Sequence, residues 1–200
     1  MGTKCKIAVL GSPAVGKSAL VVRFLTKRFI WEYDPTLEFT YPCSCQVDDE
    51  PVAMEILDTA GQVESNQTNF EGTVRWADAF ILVFSVTDRH TFKQISILKN
   101  QIDEIKRSKN VSCVIIGNKI DLEHQRQVGT AEAERMAADC ATAYFETSAC
   151  DGSPEIDEAF HEVYREVKRR RYLDSRGGRR RSSAQQVRHV LNNFLTKIHT

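Results

Sequence analysis

Long apolar runs are the first thing this sequence lacks. No stretch reaches the roughly 18 consecutive apolar residues of a membrane-crossing helix. The opening Met1-Gly2-Thr3-Lys4-Cys5-Lys6 carries no apolar segment of the secretory kind. A cytoplasmic protein is therefore expected, with nuclear or peripheral-membrane residence as further options. Zinc-type cysteine pairs are missing too. Cys5, Cys43, Cys45, Cys113, Cys140 and Cys150 include no Cys-x-x-Cys, so they read as free thiols of a reducing compartment. Asn66-Gln67-Thr68 and Asn110-Val111-Ser112 spell the glycosylation pattern, but a cytoplasmic chain never meets that machinery. No internal repeat is present, and 27 basic side chains balance 27 acidic ones.

That balance conceals two opposite halves. Residues 168–200 hold ten Lys/Arg and one Asp, which leaves the rest of the chain with 17 basic and 26 acidic groups. An acidic body with a basic tail points to two functional parts. The expected division is a body over residues 1–171 and a basic linker with a short amphipathic helix over residues 172–200. With 42% hydrophobic and 27% charged residues, the body has the composition of a globular domain able to bury its own core.

The body alternates between two hydrophobic periods. Lys6 to Leu10, Phe39 to Val47, Val52 to Leu57, Phe80 to Val86, Val111 to Ile116 and Ala143 to Phe145 read as strands. Asp48-Asp49-Glu50-Pro51 joins the second and third as a hairpin turn. Helical spacing appears over Ser18 to Lys27, Thr91 to Ile105, Ala131 to Ala141 and Pro154 to Arg170. The alternation predicts an α/β fold, a mainly parallel sheet with helices on both faces and one antiparallel strand from the hairpin. In such sheets ligands gather at the carboxyl ends of the strands, where each motif below falls.

Gly11-Ser12-Pro13-Ala14-Val15-Gly16-Lys17-Ser18 follows a strand and opens a helix, as the phosphate-binding pattern G-x-x-x-x-G-K-[ST] requires. Backbone N–H groups of such a loop wrap an anion, and the helix start presents its positive end to it. Lys17 is placed to reach the outer phosphates and Ser18 to bind magnesium. Pro13 has no N–H to contribute, so the remaining amides must close the cradle. Asp58-Thr59-Ala60-Gly61-Gln62 follows the third strand. Its carboxylate suits magnesium, and Gly61, with no side chain, lets its N–H approach a terminal phosphate. Thr36, in the proline-held Tyr33-Asp34-Pro35-Thr36, offers a further magnesium ligand.

Asn118-Lys119-Ile120-Asp121 selects the base. Guanine presents two adjacent donors, which the two oxygens of Asp121 match; adenine presents an acceptor and a C–H and would leave the charge unpaired. An ATP-using enzyme is disfavoured on that ground. Ser148-Ala149 follows the last strand, where a backbone N–H is available to guanine O6.

Together these residues resemble the Ras superfamily of small GTPases over about residues 4 to 170. Phe24-Leu25-Thr26-Lys27-Arg28-Phe29-Ile30, Thr147-Ser148-Ala149-Cys150 and Arg180-Arg181-Ser182-Ser183 are most similar to its branch of Ras-related oestrogen-regulated growth inhibitors. The resemblance implies a P-loop NTPase fold with six strands and five helices, acting as a GTP/GDP switch with slow intrinsic hydrolysis and a magnesium cofactor. It implies that Phe29 packs on guanine, that Thr36 and Gly61 sense the γ-phosphate, and that Gln62 positions the attacking water. Exchange factors, GTPase-activating proteins and effectors are the implied partners of a monomer; nucleic acid is not expected. Pro13 and Ala14 stand where many members have glycine, Val63 replaces an acidic residue, and Cys150 replaces a lysine. Phe39 stands where Ras itself has an aspartate, which sets ordinary Ras effectors in doubt. These departures leave a second reading open, a nucleotide-binding interaction module with little or no turnover.

The sequence ends without the C-a-a-X cysteine that a prenyl anchor needs, so no prenyl anchor is expected. Residues 176–183 read as a basic linker, and Val187, Val190, Leu191, Phe194, Leu195 and Ile198 share one helical face. Folding back on the body, weak reversible contact with anionic membrane, and nuclear import or nucleic-acid contact all remain open for this tail. Ser182 and Ser183, with arginines just upstream, form a candidate kinase site.

Overall fold

The computed structural model describes residues 4–29, 38–59 and 67–175. By internal contacts the chain divides into residues 1–166 and 167–200. Of the second unit only residues 167–175 are described, and these are helical.

The first unit follows the order β1 (Cys5–Leu10), α1 (Lys17–Thr26), β2 (Phe39–Val47), β3 (Glu50–Asp58), α2 (Gln67–Trp76), β4 (Ala79–Ser85), α3 (Arg89–Lys106), β5 (Ser112–Asn118), a 3₁₀ turn (Ile120–Gln125), α4 (Thr130–Asp139) and β6 (Ala143–Thr147). A last helix, α5, starts at residue 155. The six strands lie in the order β2-β3-β1-β4-β5-β6. All neighbours are parallel except β2 and β3. The carboxyl ends of β1, β3, β5 and β6 therefore share one edge of the sheet, and the phosphate, magnesium and base motifs begin there.

Burial explains the central strands. All seven residues of β4 and all seven of β5 are buried, so both strands are mainly apolar toward both faces. On one face Phe80, Phe84, Leu10 and Ile115 pack with Phe92, Ile95, Leu98 and Ile102 of α3. On the other, Phe24 of α1 stacks on Phe160 of α5, with ring centroids 4.2 Å apart. Side chains of this size, fully buried, each contribute about 2–3 kcal/mol of burial free energy.

Three local outcomes differ from the sequence expectation. The hairpin turn is shorter: Asp48 and Asp49 both have positive φ (52° and 63°), the two-residue turn whose twist matches the strands. Glu50 and Pro51 already pair with Val47 and Gln46. Pro51 is tolerated because β1 first pairs with β3 at Met54, so among the described residues this end of β3 has one neighbour, β2. Helix α2 was not individually anticipated. It contains Gly72 and little intrinsic helix preference, and it forms because Phe70, Thr73 and Val74 bury one stripe, with Ala77 buried just beyond its end. The final helical run continues to residue 175 rather than ending at Arg170.

Candidate nucleotide-binding site

The phosphate end is one continuous loop. It leaves β1 at Gly11, where an added Cβ would sit 2.1 Å from the Val83 carbonyl oxygen, so the chain passes against its neighbour with no room for a side chain. It enters α1 through Gly16, whose φ of 97° is left-handed. Lys17 is 5% exposed, and its Nζ donates to the carbonyls of Gly11 (2.7 Å) and Ser12 (3.0 Å). Those bonds hold the ammonium across the mouth of the loop. Ser12 and Val15 are buried, while Pro13 and Ala14 form an exposed crest, with Ala14 itself at φ 61°.

Asp58 ends β3 beside this loop. Burial pushes its carboxyl above the usual carboxylate range, opposed by a hydrogen bond from the Ser18 hydroxyl and by the Lys17 charge. Its Oδ1 is buried with no hydrogen-bond partner among the described residues. A buried carboxylate oxygen without a donor calls for a cation. Together with the Ser18 hydroxyl it forms the hard oxygen donor set that magnesium prefers, so the residues present fit that ion. Thr59 is buried, and its hydroxyl donates to the Val9 carbonyl at 2.7 Å, tying the ends of β3 and β1. Thr36, Ala60, Gly61 and Gln62 lie outside the described residues.

The base end is assembled from separate segments around Asn118, which is 2% exposed. Asn118 Nδ2 donates to the Val15 carbonyl at 2.9 Å, and its Oδ1 accepts from Thr147 Oγ1 and Ala149 N, both at 3.2 Å. One side chain thus links the phosphate loop, the end of β5 and the loop after β6. Gly16 must be glycine for the same reason: a Cβ there would lie 2.3 Å from Asn118 Nδ2. Lys119, left-handed at φ 72°, turns the chain so that Asp121 opens the 3₁₀ turn. Asp121 is exposed and accepts at Oδ1 from Ser148 Oγ at 2.8 Å. A carboxylate has about four acceptor positions, so capacity for two further donors remains. The two amides expected to meet guanine O6 are engaged. Ser148 N donates to Ser153 Oγ at 3.0 Å and Ala149 N to Asn118, so an O6 contact at Ala149 is shared with Asn118. Phe29 is half-buried beside the Arg23 guanidinium, 5.9 Å from ring centre to Cζ.

Arg126 and Glu146 brace this end from behind. Arg126 donates from Nη1 and Nη2 to the two oxygens of Glu146 (2.9 and 3.0 Å) and from Nε to Glu123 (2.7 Å). Burial alone would raise the Glu146 carboxyl, but donation by Arg126, Thr130 and Tyr144 outweighs it and holds it below its ordinary value. The turn that carries Asp121 is so fixed to β6, the strand that leads into Ser148. Sequence reasoning missed Arg23, Arg126, Glu146 and Ser153. For Arg126 and Glu146 the available signal was charge close to the base motifs, which does not distinguish a brace from a solvated surface.

Residues 6–169 match the model of the Ras family. The chain belongs to the Ras family. It is a GTP-binding signalling switch and a GTP hydrolase, with the guanine nucleotides, regulators and effectors general to that family. This Ras-family GTPase is 54% identical over 193 residues to the human Ras-related and estrogen-regulated growth inhibitor, covering 96% of each chain. The bovine protein of that name matches to the same extent. Ras-like protein rasB of Dictyostelium discoideum is 38% identical over 179 residues, covering 86% of this chain and 90% of its own. The resemblance to the growth-inhibitor branch is thereby borne out.

Proposed function

We propose that this chain binds GTP and GDP across the shared sheet edge, with magnesium held by Ser18, Asp58 and Thr36. The supporting observation is the convergence of Lys17, the donorless Asp58 oxygen and Asp121 through loops that Asn118 ties together. The amides of Gly11 to Ser18 and the Lys17 ammonium stabilise charge on the phosphates, and Asp121 reads the two donors of guanine. Bound magnesium supplies positive charge to the outer phosphate oxygens. Gln62 orients water for attack, while Thr36 and Gly61, with Ala60 beside them, close on the γ-phosphate and part after hydrolysis. Intrinsic hydrolysis is slow, as the likeness to Ras implies. A nucleotide-binding module without turnover gains no support from the family match.

We assign the nucleotide site to residues 1–171 and regulated contacts to residues 172–200. The tail favours weak reversible attachment to anionic membrane from the cytoplasm, since its six basic groups contribute roughly 1 kcal/mol each near such a surface.

The test of the site has two arms. In wild type, chelation of magnesium by EDTA accelerates GDP release; in Asp58→Ala release is already fast and EDTA adds little. Equal EDTA sensitivity in both would remove Asp58 from the metal site. Single-turnover phosphate release from GTP-loaded protein should be slower in Gln62→Leu than in wild type, and equal rates would remove the role of Gln62. For the tail, sedimentation with anionic liposomes should fall when residues after Arg171 are deleted and should weaken with salt.

A further inference from the structure

Arg23 projects from α1 toward the loop that follows β6. Its Nε donates to the Ala149 carbonyl at 2.9 Å, and its Nη2 donates to the Cys150 carbonyl in a short bond. A third donor, Nη1, reaches the Lys27 carbonyl at 3.2 Å, next to the end of α1. The same guanidinium lies 5.9 Å from the centre of the Phe29 ring. The planar fork therefore joins the two parts of the chain assigned to guanine: the loop at its edge and the ring at its face. The space it occupies is reserved. Gly152 has φ +77°, and a Cβ there would meet Arg23 Cζ at 2.8 Å and Nη1 at 2.9 Å. A lysine at position 23 would keep the charge but lose the planar fork and its simultaneous bonds.

We propose that Arg23 is a positioning residue for the guanine end of the site, holding the Ala149–Cys150 loop and Phe29 in register and so setting how slowly nucleotide leaves. This rests on the guanine-site reading above. Arg23 acts on the base loop rather than on the phosphates, so its contribution multiplies with that of magnesium instead of replacing it. Gly152 belongs to the same device, because it leaves the guanidinium its place.

The test is dissociation of fluorescent GDP from the full chain. Arg23→Ala should release GDP at least about tenfold faster, the factor for one lost charge-assisted hydrogen bond. The same factor should persist in EDTA. Arg23→Lys should fall between, and added guanidinium ion at millimolar concentration should slow Arg23→Ala toward the wild-type rate. Gly152→Ala should also release faster without rescue by guanidinium, and the double variant should be no faster than the faster single. A wild-type rate in Arg23→Ala overturns the proposal. So does acceleration that guanidinium leaves untouched and that multiplies with Gly152→Ala, since that marks ordinary packing. A wild-type protein that retains no guanine nucleotide would instead sink the site reading itself.

Discussion

The two ends of the proposed nucleotide site are made in different ways. The phosphate end is eight consecutive residues, Gly11 to Ser18, and its instruments are backbone amides, two glycines and one lysine held by its own loop's carbonyls. The base end is drawn from α1, the 3₁₀ turn after β5 and the loop after β6, and side chains join it: Asn118, Ser148, Arg23 and the Arg126–Glu146 pair. A contiguous loop gets its shape from local sequence, whereas an assembled end gets its shape from packing. The first should fail abruptly when damaged, and the second should loosen by degrees.

The largest effect is expected at Gly16, the one point where both constructions meet. Gly16→Ala sets a Cβ against Asn118 Nδ2 and strains a left-handed backbone, at a combined cost of about 3 kcal/mol or more. GDP affinity measured by titration should fall about 100-fold or more; a loss below tenfold would show that the two ends are not coupled there. Asn118→Ala should follow at about 2–3 kcal/mol, because it orphans Val15, Thr147 and Ala149 groups together. Ser148→Ala removes the hydroxyl that donates to Asp121 and accepts from Asp151 N, so GDP release should quicken about tenfold or less while the phosphate loop stays intact.

The smallest effect is a pH effect at the brace. The Glu146 carboxyl is held below its ordinary 4.5, so its stabilisation is present above the unfolded-state value and is lost as pH falls through the lowered folded value. Glu146→Gln should therefore lower the melting temperature at neutral pH and narrow the gap to wild type below about pH 4. A gap that stays constant down to pH 3 would mean that the charge of Glu146 contributes nothing to the brace.

The contrast also explains what was legible in the sequence. The phosphate loop, Asp58 and the Asn118-to-Asp121 run could be read because each is local, and their common location followed from parallel strands ending at one edge. The runs at residues 80–86 and 111–116, apolar but for Ser85 and Ser112, announced central strands. Helix α2 did not announce itself, because its glycine and β-branched residues hide a stripe that only tertiary packing makes useful. Arg23 and Arg126 were illegible for a related reason. Their partners lie 126 and 20 residues away, and an arginine's sequence neighbours do not tell whether it meets carbonyls or water. The turn was read as Asp48-Asp49-Glu50-Pro51, two residues too long, and the sequence does not show that β3 has one neighbour at that point among the described residues.

The central claim is that one cavity joins the two ends around a guanine nucleotide, and base exchange at Asp121 tests it most directly. Relative affinity for GDP and xanthosine diphosphate should be measured in wild type and in Asp121→Asn. Wild type should prefer GDP strongly, and the variant should lose that preference and take the xanthine nucleotide, whose oxygen accepts from the new amide. Undiminished GDP affinity in Asp121→Asn would contradict the account.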